Sequence, residues 1–301
     1  MEKEINAKVI EIILNKYILA LNDGKYVEAI LSGNIKRKNS ILVGDNVIVT
    51  FSYDKYVITK VLERKNSMIR PPVANIDQLI IVLSLDSPKP DYMLLDKQIV
   101  LCKNKGIDPI LCINKIDYSK DNISLRSELK YIATVYTSLV KEIVYSSVTD
   151  NIGINELKLL LKGKISAFSG NSGVGKSTLL NRLIPGTDAK TSAVSETHHT
   201  GMHTTTFSEM FALKDGSGYI IDTPGIKGFG TIDFNAEEVA HYFPEIFKIS
   251  ADCKYGNCTH RHEPGCAVKQ ALEDCLISQS RYASYLSIID DSTEGKYRKP
   301  F

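Results

Sequence analysis

Residues 170–178 read GNSGVGKST, and no other feature of the chain limits its fold so tightly. The pattern G-x-x-x-x-G-K-[ST] works as a tight turn between a buried strand and a helix. Its backbone N–H groups then converge on phosphate, and the helix N-terminus adds its positive end. The flanks meet that demand: KISAF (164–168) reads as a strand and KSTLLNRLI (176–184) as a helix. Gly170, Asn171, Ser172, Gly173, Val174, Gly175 and Thr178 would form the cradle. Lys176 would reach the β- and γ-phosphates, and the Ser177 hydroxyl would ligate Mg²⁺.

A second motif lies upstream, in CINKID (112–117). It follows an apolar run and so sits at a strand's C-terminal end, where α/β sheets place nucleotides. The Asp117 carboxylate can accept from both N1–H and the 2-amino group of guanine, and adenine offers neither donor. Asn114 would tie this loop to the phosphate loop, and the Lys115 stem would cover the base. The small residues Ser146 and Ser147 end the next strand, where a backbone N–H can meet guanine O6. Downstream, IIDTPG (220–225) ends another strand. Asp222 there suits Mg²⁺ through water, and the Gly225 N–H suits the γ-phosphate. Together these loops call for GTP or GDP.

The order of these motifs is unusual. An ordinary guanine-nucleotide domain begins at its phosphate loop, whereas here the guanine loop and small-residue loop come first. The helix INELKLLLKG (154–163) would be the last element of the ordinary order, and it runs straight into KISAF, the first. Chain ends of compact domains lie close together, so joining them and cutting elsewhere costs little. The new cut falls just after D-T-P-G. The domain is a circular permutation, and its second switch leads directly into the C-terminal region.

Strand and helix signals alternate from QLIIVLSL (78–85) to KISAFSG, which argues for a parallel sheet covered on both faces. FSEMFAL, KDGSG and YIIDTPG read as a hairpin. Residues 1–68 instead hold short β-branched runs cut by NDGK and VGD, the pattern of a small barrel of OB or SH3 type. MIRPPVANID (68–77) reads as a linker stiffened by Pro71 and Pro72. Beyond residue 232 the chain turns helical.

Between the phosphate loop and D-T-P-G lies SAVSETHHTGMHTTTFSEM, polar and threonine-rich, with no core to bury. That suits a switch loop ordered by γ-phosphate, with Thr204 or Thr205 on Mg²⁺. Many GTPases place a glutamine right after D-x-x-G, but this chain has Ile226, which has no hydrogen bond to offer. Water must then be oriented by another group, either His203 or one supplied by a partner.

CKYGNCTHRHEPGC (253–266) carries the spacing C-x4-C-x-H-x5-C. Three thiolates and one imidazole form a closed tetrahedral set suited to structural Zn²⁺, leaving no position for a reactive water. Cys253, Cys258, His260 and Cys266 are the preferred set, with His262 and Cys275 competing.

Net charge is only +2, so no global basicity announces a nucleic-acid partner. IKRKNS (35–40), ERKNSMIR (63–70) and GKYRKP (295–300) are locally basic. The longest apolar run is too short to span a bilayer. The N-terminus is charged from the start, which argues for a cytoplasmic protein without membrane contact.

RPPVANIDQ, NKID, GNSGVGKSTLLN, GMHTTT, DTPGIKGFG and CKYGNCTHRHEPGCAV, in that order, resemble the small-ribosomal-subunit-dependent GTPase family, RsgA, over essentially the whole chain. The resemblance implies a multidomain fold. An N-terminal OB-fold β-barrel (1–68) would precede a central α/β circularly permuted P-loop GTPase domain (69–232). A mostly helical zinc-binding domain (233–301) would follow. It implies hydrolysis of GTP to GDP and phosphate, stimulated by the small ribosomal subunit late in its maturation. The partners would be that subunit and its rRNA, and the chain would be a monomer. The histidine of G-x-H-T-T-T, His203, would be catalytic beside Lys176. The zinc ligands would be Cys253, Cys258, His260 and Cys266.

Overall fold

The computed structural model describes residues 4–14, 16–33, 35, 40–68, 72–184, 209–222 and 236–293. The N-terminal region forms five strands: β1 (Ile5–Ile13), β2 (Lys16–Leu21), β3 (Tyr26–Leu31), β4 (Asn46–Ser52) and β5 (Lys55–Val61). The first long β-branched run breaks where Leu14 takes φ 55°. β1 pairs antiparallel with β2 and with β4, β2 with β3 and β4 with β5, while β3 and β5 run parallel. That ring, 1-2-3-5-4-1, closes a five-stranded barrel, and closure removes its edges. Alternate residues fill the interior, including Val9, Leu19, Ala29, Val47, Val49 and Ile58, all buried.

The described residues of the segment expected as a linker are fastened to the barrel. β6 (Ser67–Met68) pairs with β7 (Val73–Ala74). Met68, Ala74 and Ile76 are buried, and the Asn75 side chain donates to the Gly44 carbonyl at 2.9 Å. Gly44 takes φ 93°, and a Cβ there would lie 2.1 Å from the Ala74 carbonyl oxygen. Arg64 grips the buried Asp45 carboxylate with two bonds of 2.7 and 2.8 Å, fixing the chain's exit from the barrel.

A second sheet follows. Its strands are β8 (Gln78–Ser84), β9 (Asp108–Asn114), β10 (Glu142–Tyr145), β11 (Ile165–Ser169), β12 (Glu209–Ala212) and β13 (Tyr219–Asp222), in the order 10-9-8-11-13-12. All are parallel except β12, which forms a hairpin with β13. Every residue of β8 is buried. Helices α1 (Tyr92–Lys105) and α2 (Ile123–Tyr136) cover the face that carries Leu79, Ile81 and Leu83. α3 (Ile154–Leu161) and α4 (Lys176–Leu183) cover the face that carries Ile80 and Val82. Each such aliphatic side chain contributes roughly 1.5–3 kcal/mol when fully buried. α1 ends at Gly106 in the left-handed region (φ 64°), as its sequence required. α3 leads into β11 through three residues, which is the join that the permuted motif order demands.

β12 also pairs antiparallel with β1 through Glu11 and Glu209, so barrel and α/β sheet form one eleven-stranded surface.

The C-terminal region contains α5 (Pro244–Ser250), α6 (Ala267–Glu273) and α7 (Gln279–Thr293). It docks on α1. Arg281, almost wholly buried, bonds Asp96 of α1 at 2.6 Å and Glu245 of α5 at 2.7 Å. Its guanidinium stacks 4.2 Å from the Phe243 ring centroid. Burial pushes the Asp96 carboxyl up, and the Arg281 charge opposes it. Lys97, next on α1, pairs with Asp291 at 2.6 Å. Among the described residues, no helix is long and apolar enough to cross a membrane.

Candidate functional site

The guanine and phosphate loops meet at the C-terminal ends of β9, β10 and β11. Asn114, the last residue of β9, is buried and donates from Nδ2 to the Val174 carbonyl at 2.9 Å. The Ser146 hydroxyl donates to the Asn114 Oδ1 at 3.0 Å and lies 3.2 Å from the Cys112 thiol. A buried amide is thereby satisfied on both sides, and one side chain fixes three loops relative to one another. Gly175 admits this contact: it takes φ 96°, and a Cβ there would lie 2.3 Å from Asn114 Nδ2. Gly170 is equally constrained, with φ 140° and a Cβ position 2.0 Å from the Val82 carbonyl oxygen.

Lys115 takes the left-handed conformation (φ 60°), turning the chain out of β9. Its amine donates to the carbonyls of Ser87 and Gly173, each at 2.7 Å, so its stem lies across the edge of the phosphate loop. Asp117 follows in a single 3₁₀ turn, Ile116–Ser119, and is partly exposed. Ser147 is buried, and its N–H donates to the Ile152 carbonyl at 3.1 Å. Lys176 begins α4, and its amine donates to the carbonyls of Gly170 and, at 2.8 Å, Asn171. Ser177 and Thr178 lie in the same first helical turn, and Ser172 and Gly173 are exposed at the loop's crest. A lysine held across a glycine-rich turn at a helix N-terminus is chemically suited to an anionic phosphate.

Asp222, the last residue of β13, lies at the same sheet end beside β11, and the Thr223–Gly225 part of D-T-P-G lies outside the described residues. Gly225, His203, Thr204, Thr205 and Ile226 lie outside the described residues.

The second cluster lies in the C-terminal region. The ligand atoms of Cys253, Cys258, His260 and Cys266 all fall within 4.8 Å of one another. His260 Nδ1 is 3.6 Å from the Cys253 sulfur and 3.5 Å from that of Cys266. Tetrahedral zinc with Zn–S bonds of about 2.3 Å sets its ligand atoms roughly 3.5–3.8 Å apart, so the two His260–sulfur separations match that ion and the set is compatible with one zinc. Cys266 caps α6, its sulfur accepting the Lys269 N–H at 3.4 Å, a position that favours a thiolate. Burial holds the His260 imidazolium below its usual range, which favours the neutral form a metal needs. Burial pushes the Cys258 thiol up to about 12. His260 takes φ 61°, and the Tyr282 hydroxyl donates to its carbonyl at 2.5 Å. The Glu263 carboxylate accepts from the N–H groups of Thr259, Arg261 and His262 at 2.7, 2.9 and 3.0 Å, tying the loop around His260. Neither competitor joins the cluster: His262 lines the adjoining surface and Cys275 is exposed.

Comparison with known proteins decides the family. A model described as RsgA GTPase matches residues 61–232. The chain belongs to the RsgA GTPase family. The Small ribosomal subunit biogenesis GTPase RsgA 2 of Bacteroides thetaiotaomicron is 45% identical, over 95% of this chain and 96% of its own. The crystal structure of YjeQ from Thermotoga maritima superposes with a TM-score of 0.80 at 34% identity, covering 97% of this chain and 99% of its own. The structure of YloQ, described as a circularly permuted GTPase, gives 0.75 at 30%, covering 99% and 97%. This RsgA-family chain is therefore a GTP-hydrolysing enzyme with a permuted P-loop domain.

Sequence reasoning missed two supports of that domain. Gln98 of α1, fully buried, donates to the Ser169 hydroxyl at 2.7 Å, directly before Gly170. Ser87 anchors Lys115. Gln98 sits among apolar helix residues 71 positions upstream, and nothing local marks it.

Proposed function

We propose that this enzyme hydrolyses GTP to GDP and phosphate on the small ribosomal subunit, late in that subunit's maturation, and that the subunit stimulates hydrolysis. The observation that carries the nucleotide reading is the Asn114 amide, bonded at once to the phosphate loop and the small-residue loop. Such a tie supports a constant spacing between the guanine loop and the phosphate cradle, as recognition of one guanine nucleotide requires.

In this reading Asp117 accepts from guanine N1–H and the 2-amino group, and Lys115 covers the base. Gly170, Asn171, Ser172, Gly173, Val174, Gly175 and Thr178 cradle the phosphates. Lys176 carries positive charge to the β- and γ-phosphates. Mg²⁺ would supply further neutralisation of the phosphate charge. Ser177 and one of Thr204 and Thr205 would hold it, with Asp222 acting through water. Gly225 meets the γ-phosphate. With Ile226 unable to orient water, His203 takes that role. His203→Ala then lowers turnover and leaves GTP affinity intact, and unchanged turnover overturns the assignment. Cys253, Cys258, His260 and Cys266 hold one structural Zn²⁺.

The relatives named for small ribosomal subunit biogenesis support that subunit as the partner, and its rRNA is the surface the protein would meet there. The decisive experiment is GTP hydrolysis with purified small subunits, purified large subunits and neither. Stimulation by small subunits alone supports the proposal. Equal slow rates in all three favour an RNA-binding protein whose nucleotide site only signals state.

A further inference from the structure

A cleft of about 740 Å³ opens where the barrel meets the β12–β13 hairpin, outside both sites above. That volume lies within the roughly 300–1,000 Å³ typical of small-ligand sites. Its walls come from β1, β2, β4 and the β2–β3 turn on the barrel side and from the hairpin on the other. Tyr26 of the barrel, 57% exposed, and the half-buried Tyr219 of β13 both line it. Lys8, Asn6, Asn46, Asn22 and Lys214 supply its polar groups, and among the described residues no carboxylate lines it.

Lys8 is the informative member. It is partly buried on β1 beside the cleft, and its amine donates to Asn46 Oδ1 at 2.6 Å. Burial lowers its proton affinity, and the more distant Asp77 and Asp45 offset that in part. A partly desolvated ammonium gains more from an incoming anion than a surface lysine does. Lys214, exposed at the hairpin, adds a second positive charge to the rim. Aromatic rings offer a face to a base, side-chain amides can pair with base edges, and two amines attract phosphate.

We propose that this cleft binds one unpaired nucleotide of an RNA strand, its base against the exposed Tyr26 ring, with Tyr219 beside it, and its phosphate toward Lys8 and Lys214. RNA as the source rests on the small-subunit reading above; the chemistry of the cleft does not. Because β12 follows the threonine-rich switch segment in the chain, a nucleotide held here touches the strand into which that segment runs.

The test uses the full chain, a fluorescent single-stranded RNA decamer, the same decamer as a duplex, and free AMP. The single strand is expected to bind, and ultraviolet cross-linking to map to Tyr26 or Tyr219. Tyr26→Ala should weaken that binding about tenfold, with the thermal melt and GTP affinity unchanged. Lys214→Gln should lower the slope of log affinity against log salt by about one. Unchanged binding in Tyr26→Ala, or a cross-link elsewhere only, overturns the proposal. Equal binding of the duplex also overturns it. AMP competing as well as the decamer overturns the RNA strand as occupant. If small subunits fail to stimulate hydrolysis while these variants still lose RNA, the functional reading fails and the cleft stands.

Discussion

The four thiol and imidazole groups of the C-terminal cluster come from one span, residues 253–266. The groups that join the nucleotide loops, Asn114, Ser146 and Val174, lie on segments separated by 32 and 60 residues. The first constellation is closed by a single loop and its Pro264–Gly265 turn. The second exists only once a parallel sheet has set three strand ends side by side. A local constellation depends on its ligand to hold it, whereas a distributed one is held by the fold before any ligand arrives.

The largest effect should come from stripping the local cluster. A structural zinc contributes on the order of 10 kcal/mol to a small domain. Chelation or Cys258→Ser is expected to melt the C-terminal helices, read by circular dichroism, while GTP binding persists. Metal analysis should find one zinc per chain, and the same in His262→Ala and Cys275→Ser. Zinc-free protein with an unchanged melt would break the contrast.

Arg281→Met probes how far the C-terminal region depends on its tertiary dock. It leaves Asp96 charged and buried, a loss of about 3–5 kcal/mol in the chemical melt. A double variant with Asp96→Leu should recover most of that.

Within the distributed site, Asp117→Asn should cost roughly 100-fold in GTP affinity by calorimetry, through loss of a charge-assisted bidentate contact. The amide it creates donates to a 2-keto group, so xanthosine triphosphate should bind better than to the parent. Asn114→Ala should cost about tenfold, because it loosens loops whose backbone stays in place. Gln98→Leu, which leaves the Ser169 hydroxyl unpaired, should raise KM more than it lowers kcat.

The smallest expected effect is at Glu263. Its contacts, the Thr259 hydroxyl first, hold its carboxyl well below the usual carboxylate range. The stability this lends the loop is therefore complete above its ordinary 4.5 and is lost as pH falls toward the folded value. At neutral pH Glu263→Gln should weaken zinc binding by about tenfold at most, measured by competition with a chromogenic chelator.

Much of this was written in residue order alone. The phosphate loop, the guanine loop and the spacing of the cysteines are chemical requirements met by consecutive residues. Their order along the chain already fixed the permutation, since α3 could lead into β11 only if the ordinary domain's ends were joined. β8 and the α3 face were legible for the same reason, because burial imprints a period on the sequence. The N-terminal barrel was legible as well, but its ring order was not, since short β-branched runs suit several. Residues 68–77 read as a stiffened linker, and the anchors Asn66, Asn75 and Gly44 were not legible because they are polar or small and carry no periodic signal. The buried Asp96–Arg281 pair spans 185 residues, and the β1–β12 seam joins strands nearly 200 residues apart. Such contacts leave no local trace, because an isolated Asp, Arg or Gln reads as surface until the fold brings its partner. The sequence by itself determined which chemistry the chain can perform. Only the tertiary structure decided how its three regions are locked together, because that depends on distances between residues the chain does not place near one another.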